Sequence, residues 1–209
     1  MGIENFWVFA IAALLLNLTP GNDMLYVAAR SASQGVKAGV VSAFGVMLGC
    51  MVHILAAVVG LSAIIAGSAV AFNIIKYLGA AYLVYLGIRS ILSKRKQLQV
   101  RLGIKHLSYK KIFWQGVITN VLNPKVALFF LAFLPQFINI RSGGAHWQIL
   151  FLGTWFDLGG TSVNILVALL FGRIGKLLSG SPRFVLWQER ITGMMLIGLG
   201  IKVALSSKR

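Results

Sequence analysis

Six long apolar runs, with few charges inside them, decide what this chain can fold into. They cover roughly residues 5–29, 38–66, 70–92, 112–137, 146–172 and 185–206. Each is at least as long as the roughly 18 to 20 residues that span a bilayer as helix. Lipid offers no partner to free backbone N–H and C=O groups, so such runs must be helical. Composition agrees, with 58% hydrophobic and 11% charged residues and a mean hydropathy of +0.84. A soluble domain carries about 25% charged residues. Four acids (Glu4, Asp23, Asp157 and Glu189) cannot cover a water-facing surface on 209 residues. The reading is therefore an all-α integral membrane protein of six transmembrane helices, forming a single domain over 1–209.

The net charge of +16 would suit an anionic partner, but its distribution has a simpler cause. Membrane proteins concentrate Lys and Arg in cytoplasmic loops. Connections 30–37, 93–111 and 173–184 carry two, seven and three of them, twelve in all. Segments 1–4, 67–69, 138–145 and 207–209 carry three. The asymmetry puts the basic loops in the cytoplasm and both termini outside, and it removes the need for nucleic acid. The lone cysteine, Cys50, lies in an apolar run and reads as a small packing residue. The flank before the first run holds Glu4 and no Lys or Arg, and no small-x-small site follows Phe6–Leu16. That pattern is a retained span, not a signal peptide.

The chain repeats itself. Gly49-Cys-Met-Val-His53 matches Gly160-Thr-Ser-Val-Asn164, and Tyr85-Leu-Gly-Ile-Arg89 matches Gly198-Leu-Gly-Ile-Lys202. Leu18-Thr-Pro-Gly21 and Leu122-Asn-Pro-Lys125 interrupt the first and fourth spans. The offsets of 111, 113 and 104 residues keep the matches in order. The halves are then repeat one (1–92) and repeat two (112–209), joined by the basic loop 93–111. Three spans per half force the second half into the membrane from the opposite side. Two inverted three-helix repeats are the architecture of many secondary transporters.

Chemistry gathers at the two prolines. A proline within a helix removes a donor and clashes with the carbonyl four residues earlier. Pro20 and Pro124 thus break the first and fourth helices and free the carbonyls near Leu16 and Asn120. Polar residues flank each break: Asn17, Thr19, Gly21, Asn22 and Asp23 in one, Asn120, Asn123 and Lys125 in the other. Such groups at membrane depth belong where they line protein or a wet cavity. A lysine at the bilayer centre costs about 2.5–3.5 kcal/mol on insertion scales, so Lys125 should find an anionic partner in Asp23, Asp157 or a bound group. Small residues at Gly35, Gly39, Ser42, Gly45 and Gly49 share a face with His53 in the second span. Gly153, Asp157, Gly160 and Asn164 do the same in the fifth. Asp23, Asp157 and His53 are the candidate proton carriers. The candidate substrate-binding set is Asn17, Thr19, Pro20, Gly21, Asn22, Asp23, Asn120, Asn123, Pro124, Lys125, Asp157 and Asn164. A zwitterion suits such a mixture of charges.

These residues resemble the LysE/RhtB family of amino acid exporters. The resemblance is carried by Leu18-Thr-Pro-Gly21, Gly35-x-x-x-Gly39, Gly45-x-x-x-Gly49, His53 and Tyr82-Leu-Val-Tyr-Leu-Gly-Ile-Arg89. It continues through Gln115-Gly116, Asn120, Asn123-Pro-Lys125 and Phe133-Leu-Pro-Gln-Phe137, and covers essentially the whole chain. The family often has a second proline where Asn22 stands. The resemblance implies ion-driven efflux of an amino acid or derivative across the bacterial inner membrane, with the bilayer and a small amino acid as partners. It is compatible with a homo-oligomer. The few interior acids favour a neutral substrate. Two other readings are weaker. One is efflux of another small solute or of a metal cation; a metal site would cluster His, Cys or carboxylates, and here they are scattered. An intramembrane enzyme would need a catalytic motif, and neither Gly-x-Ser-x-Gly nor His-Glu-x-x-His occurs. No cofactor or resident metal is implied.

Overall fold

The computed structural model describes residues 2–61, 69–92, 106–139 and 142–178, and ten positions between 190 and 205. The basic stretch 93–105 and most of the sixth apolar run lie outside the described residues. Among the described residues the secondary structure is helical, apart from an isolated bridge between Ile3 and Ile138. Seven α-helices are named here in chain order: α1 (Phe6–Leu18), α2 (Asn22–Gln34), α3 (Val36–Ala56), α4 (Ala69–Ile91), α5 (Tyr109–Val121), α6 (Pro124–Leu128) and α7 (Ala145–Leu178). A π-helical turn, Ala57–Leu61, prolongs α3. Another, Phe129–Phe133, leads from α6 into the 3-10 turn Leu134–Phe137.

The helices Val36–Gly60 and Ala145–Arg173 are each long and apolar enough to cross a membrane. The pairs α1–α2 and α5 with Pro124–Phe137 each pass the same test as one bent span, which raises the number to four among the described residues. The bends are 47° and 43°. Their cause is local. The residue before a proline is driven out of the helical region. Thr19, at φ −67° and ψ 125°, and Asn123, at φ −81° and ψ 106°, are both extended. Gly21 continues the first break in extended geometry before α2 begins.

The expected boundary of the first connection needs correction. Residues 30–34 are not loop: α2 runs on to Gln34, and Gly35 alone, at φ +84°, turns the chain into α3. Arg30, counted above as a loop cation, is buried within α2 and donates to Gln115 (2.9 Å) and Gln34 (3.3 Å). Polar side chains of α2 and α5 hold it there, so its burial needs no loop.

The small-residue face of α3 packs as its spacing predicts. Gly39, Ser42, Gly45 and Gly49 are buried, and a methyl added at Gly45 would fall 2.2 Å from the Phe113 carbonyl oxygen of α5. Backbones approach that closely only where side chains are absent, the usual device of helix association in lipid. Gly35, at the start of that row, and Gly60, in the π turn beyond α3, look onto open space instead. Two apolar clusters fill the interior. The larger joins α1 and α7 to the π and 3-10 turns through Phe9, Phe129, Phe130, Phe133, Phe137 and Phe156. The smaller joins Val27 and Ala28 of α2 to Ala43, Val46, Val167 and Ala168.

Candidate functional site

Between those clusters lies a polar cavity. Along α7 the order is Phe156 in the first cluster, Asp157 to Asn164 at the cavity, then Val167 and Ala168 in the second. The first broken segment runs the same way, from Leu16 through Asn17, Thr19 and Asp23 to Val27. The cavity is about 30 Å³ as space for the centres of water-sized groups, room for about two waters. It is lined by Asn17, Thr19, Asp23, Asn120, Lys125, Asp157 and Asn164 of the expected set.

The two helix breaks supply its backbone chemistry. Pro20 cannot donate to Leu16, and the ammonium of Lys125 takes over that carbonyl at 3.0 Å and the carbonyl of Thr19 at 3.1 Å. Pro124 likewise leaves the carbonyl of Asn120, which His53 Nε2 reaches at 3.0 Å. In each case a side chain from the other half replaces the lost donor. Each carbonyl also keeps one backbone donor, Thr19 N on Leu16 O at 3.1 Å and Asn123 N on Asn120 O at 2.8 Å. The two side chains therefore supply the second bond, worth about 0.5–1.5 kcal/mol for a neutral donor and about 1.5–3 kcal/mol for a charged one.

The anionic partner expected for Lys125 is not in direct contact. Among the described residues no ion pair joins Lys125 to Asp23 or Asp157, although all three line the same cavity. Backbone dipoles do that work instead, because the proline break aims two carbonyls at one point. Asp23 is held by neutral donors, with Asn120 Nδ2 at 2.9 Å and Asn123 Nδ2 at 2.8 Å on the same oxygen, Oδ2. Asn123 also caps α6, its Oδ1 accepting from Lys125 N at 3.0 Å. Asn17 Nδ2 donates to the carbonyl of Phe156 at 3.0 Å and so ties α1 to α7.

The remaining candidates divide. Pro20 and Gly21 shape the first break, and a methyl on Gly21 would meet the Lys125 ammonium at 3.1 Å. Pro124 opens α6 and Asn123 braces Asp23, without lining the cavity. Asn22 is exposed at the start of α2, and His53 stacks on Phe130 away from the cavity lining. Sequence reasoning missed Thr161 as a lining residue and took Cys50 for packing alone. Thr161 stands four residues after Asp157, so helical spacing alone could have found it. Cys50 follows Gly49 on the interior side of α3 and lies beside Asp157, as does Thr161.

Broken helices that meet around a buried, charged cavity define a membrane transporter. The comparisons give its family. The LysE type translocator family matches residues 14–207, and the chain belongs to it. Members of that family are translocators, so the chain is a transporter and not an enzyme. It is 34% identical to the uncharacterized membrane protein YrhP of Bacillus subtilis (strain 168), covering 94% of this chain and 96% of that protein. It is 30% identical to the leucine efflux protein of Enterobacter sp. (strain 638), over 97% and 96% of the two chains. The leucine efflux protein of Salmonella typhimurium (strain LT2) is 31% identical over 75% and 74%. No solved structure matches the chain.

Proposed function

We propose that this protein exports a small neutral amino acid across the bacterial inner membrane by alternating access, driven by the proton gradient. The observation that carries the reading is the cavity, formed by both broken segments and closed by an apolar cluster on either side. Its present volume admits no whole amino acid, so it corresponds to a closed state between two open ones. The substrate carboxylate meets Lys125, and its ammonium meets Asp23 or Asp157. Protonation of one of these acids displaces the ammonium and couples release to the gradient. Relatives named leucine efflux proteins support an apolar, neutral substrate.

Contacts that recur at the repeat offsets support two inverted three-helix repeats, 1–92 and 112–209. Gly49 packs on Asn120 of one break, and its counterpart Gly160 packs on Asn17 of the other. Gly87 lies against the Gly193 carbonyl, and at the 113-residue offset its counterpart Gly200 lies against the Ala80 carbonyl. Sidedness has support too. Glu4 N donates to Phe137 O at 2.9 Å, which groups the N-terminal segment with 138–145. Gln34 exchanges two bonds with the Leu107 backbone, at 2.9 and 3.0 Å, which groups the α2–α3 corner with the basic loop. The excess of Lys and Arg then assigns the second group to the cytoplasm and both termini to the outside.

Efflux of labelled amino acids from loaded vesicles tests the transport reading. Export should require an ion gradient and collapse with a protonophore. Efflux that ignores the gradient would remove the proposed coupling, and silence toward every amino acid would remove the substrate class. A reporter active only outside the cytoplasm should work after Arg209 and stay silent within 93–111. The reverse pattern would overturn the orientation.

A further inference from the structure

Three oxygens around the cavity have no hydrogen-bond partner: Asp23 Oδ1, Asn120 Oδ1 and Thr161 Oγ1. Their residues all line it, and Asn120 and Thr161 are 2% and 8% exposed. Buried polar atoms in native structures are almost always paired, so three orphans around one cavity point to a ligand. The orientation of Asn120 is fixed by chemistry. Its other amide atom faces Asp23 Oδ2, an acceptor, so that atom must be the NH2 group and the orphan must be oxygen. Two of the three orphans can only accept. Thr161 Oγ1 lies beside the Asp157 carboxyl, toward which its hydroxyl proton can turn, leaving the oxygen to accept.

We propose that Asp23 Oδ1, Asn120 Oδ1 and Thr161 Oγ1 form an ammonium subsite that selects substrates with a free primary amine. Three acceptors match the three N–H donors of such a group. The charge belongs to Asp23, whose second oxygen is fixed by Asn120 and Asn123 and leaves the first for the ligand. In this closed state the three oxygens are shut off from water-sized groups, so the ammonium, like the rest of the substrate, enters only as the cavity opens. Lys125 remains the cation of the same cavity, anchored on the Leu16 and Thr19 carbonyls, and faces the substrate carboxylate. The subsite deepens the exporter reading and rests on it. It assigns the ammonium to Asp23 and leaves Asp157, beside Cys50 and Thr161, as the neighbour that orients the Thr161 hydroxyl.

The test uses the purified full chain in proteoliposomes, with labelled leucine and a panel of other amino acids as probes. For the best-transported one, two competitors are added: its 2-hydroxy analogue, with oxygen in place of the amine, and its N-acetyl form. Neither should compete. Thr161→Val, which keeps the shape and removes the hydroxyl, should raise KM about tenfold with little change in maximal rate, and Thr161→Ser should restore it. Equal competition by the hydroxy analogue would overturn the subsite, and would do so even if Thr161→Val failed to reach the membrane. So would an unchanged KM in Thr161→Val. Replacing sodium by choline separates a second oxygen-loving cation. If Thr161→Val shifts the sodium requirement and leaves amino acid KM alone, the oxygens hold sodium and the ammonium assignment falls. Transport of no amino acid would remove the exporter reading itself, and the subsite with it.

Discussion

The breaks at Pro20 and Pro124 occupy matching places in the two halves, yet they are held very differently. The Pro124 break is clamped by α3. Methyls added at Gly45 and Gly49 would strike backbone carbonyls of α5, at 2.2 and 2.7 Å. His53 then pins the freed carbonyl of Asn120 while stacked on Phe130. The Pro20 break faces α7 across a looser seam. The atoms nearest a methyl on Gly160 are those of the Asn17 side chain, and a groove of about 460 Å³ opens beside it between Trp7, Ile11, Leu14, Trp155 and Leu158. Its freed carbonyls are held by a flexible lysine from inside the cavity. Backbone against backbone cannot yield, whereas a side chain over a groove can. The asymmetry suggests an anchor at Pro124 and a moving part at Pro20.

Gly49→Ala gives the largest expected effect on that comparison. Its methyl would fall 2.7 Å from Val117 O and 2.8 Å from Asn120 Cβ. Neither atom belongs to a free side-chain end, so α3 and α5 must separate. Overpacking of this kind costs about 1–3 kcal/mol or more, and little folded protein should be recovered in the membrane. Normal yield and normal melting in detergent would show that the anchor is not rigid.

Lys125→Met comes next. It keeps the length of the side chain and removes the donor to the Leu16 and Thr19 carbonyls. Each lost bond from the charged donor costs roughly 1.5–3 kcal/mol, although Leu16 O keeps Thr19 N at 3.1 Å, and the substrate loses its cation. Efflux should fall below a tenth of wild type, measured per molecule in the membrane. If Lys125 and Asp23 also sense each other through the cavity, the Lys125→Met and Asp23→Asn losses will not add. Wild-type efflux in Lys125→Met would leave the Pro20 break without a functional role.

His53 sharpens the contrast, because its role in the structure is local. His53→Gln retains an N–H near Asn120 O and should transport at close to the wild-type rate. His53→Leu removes one of the two bonds to that carbonyl, which keeps Asn123 N at 2.8 Å, and should lower the melting temperature slightly, with efflux per folded molecule largely kept. Loss of gradient dependence in His53→Gln would instead make the imidazole a proton carrier.

The span pattern was legible because apolar length and proline act locally. Both bends could be placed from Pro20 and Pro124, and the orphaned carbonyls of Leu16 and Asn120 followed from the hydrogen-bond ladder alone. The partners of those carbonyls were not legible. Which side chain crosses to which carbonyl depends on helix packing, which sequence spacing does not encode. Lys125 was expected within reach of Asp23, Asp157 or a bound anion; it shares the cavity with both acids and feels the Asp23 charge, but its hydrogen bonds go to backbone carbonyls. Arg30 misled for a related reason, since a cation near a span end looks like a loop residue until Gln115 of another helix is brought beside it. Asp157 and Asn164 were found through the four-residue rhythm of α7, and the same rhythm held Thr161, which was passed over for lack of a charge.

Gly160→Ala carries the smallest expected effect and separates the two breaks most cleanly. By repeat offset it is the counterpart of Gly49→Ala, so a symmetric molecule would suffer equally from both. Here the added methyl meets Asn17 Oδ1 at 3.0 Å and Asn17 Cγ at 3.3 Å. Those atoms end a short side chain held by one hydrogen bond, Nδ2 to Phe156 O at 3.0 Å, and the groove beside α1 lets the amide shift by a few tenths of an ångström without breaking it. The substitution also removes a glycine from the interior of α7, which favours helix by about 1 kcal/mol in water. The two terms oppose, so the melting temperature should stay within a few degrees of wild type while Gly49→Ala collapses. Gly160 lines the cavity, so the methyl should tell on transport, raising KM more for larger amino acids than for alanine or glycine. Equal destabilisation by the two alanines would mean that the Pro20 seam is as rigid as its counterpart, and the assignment of anchor and moving part would have to be given up.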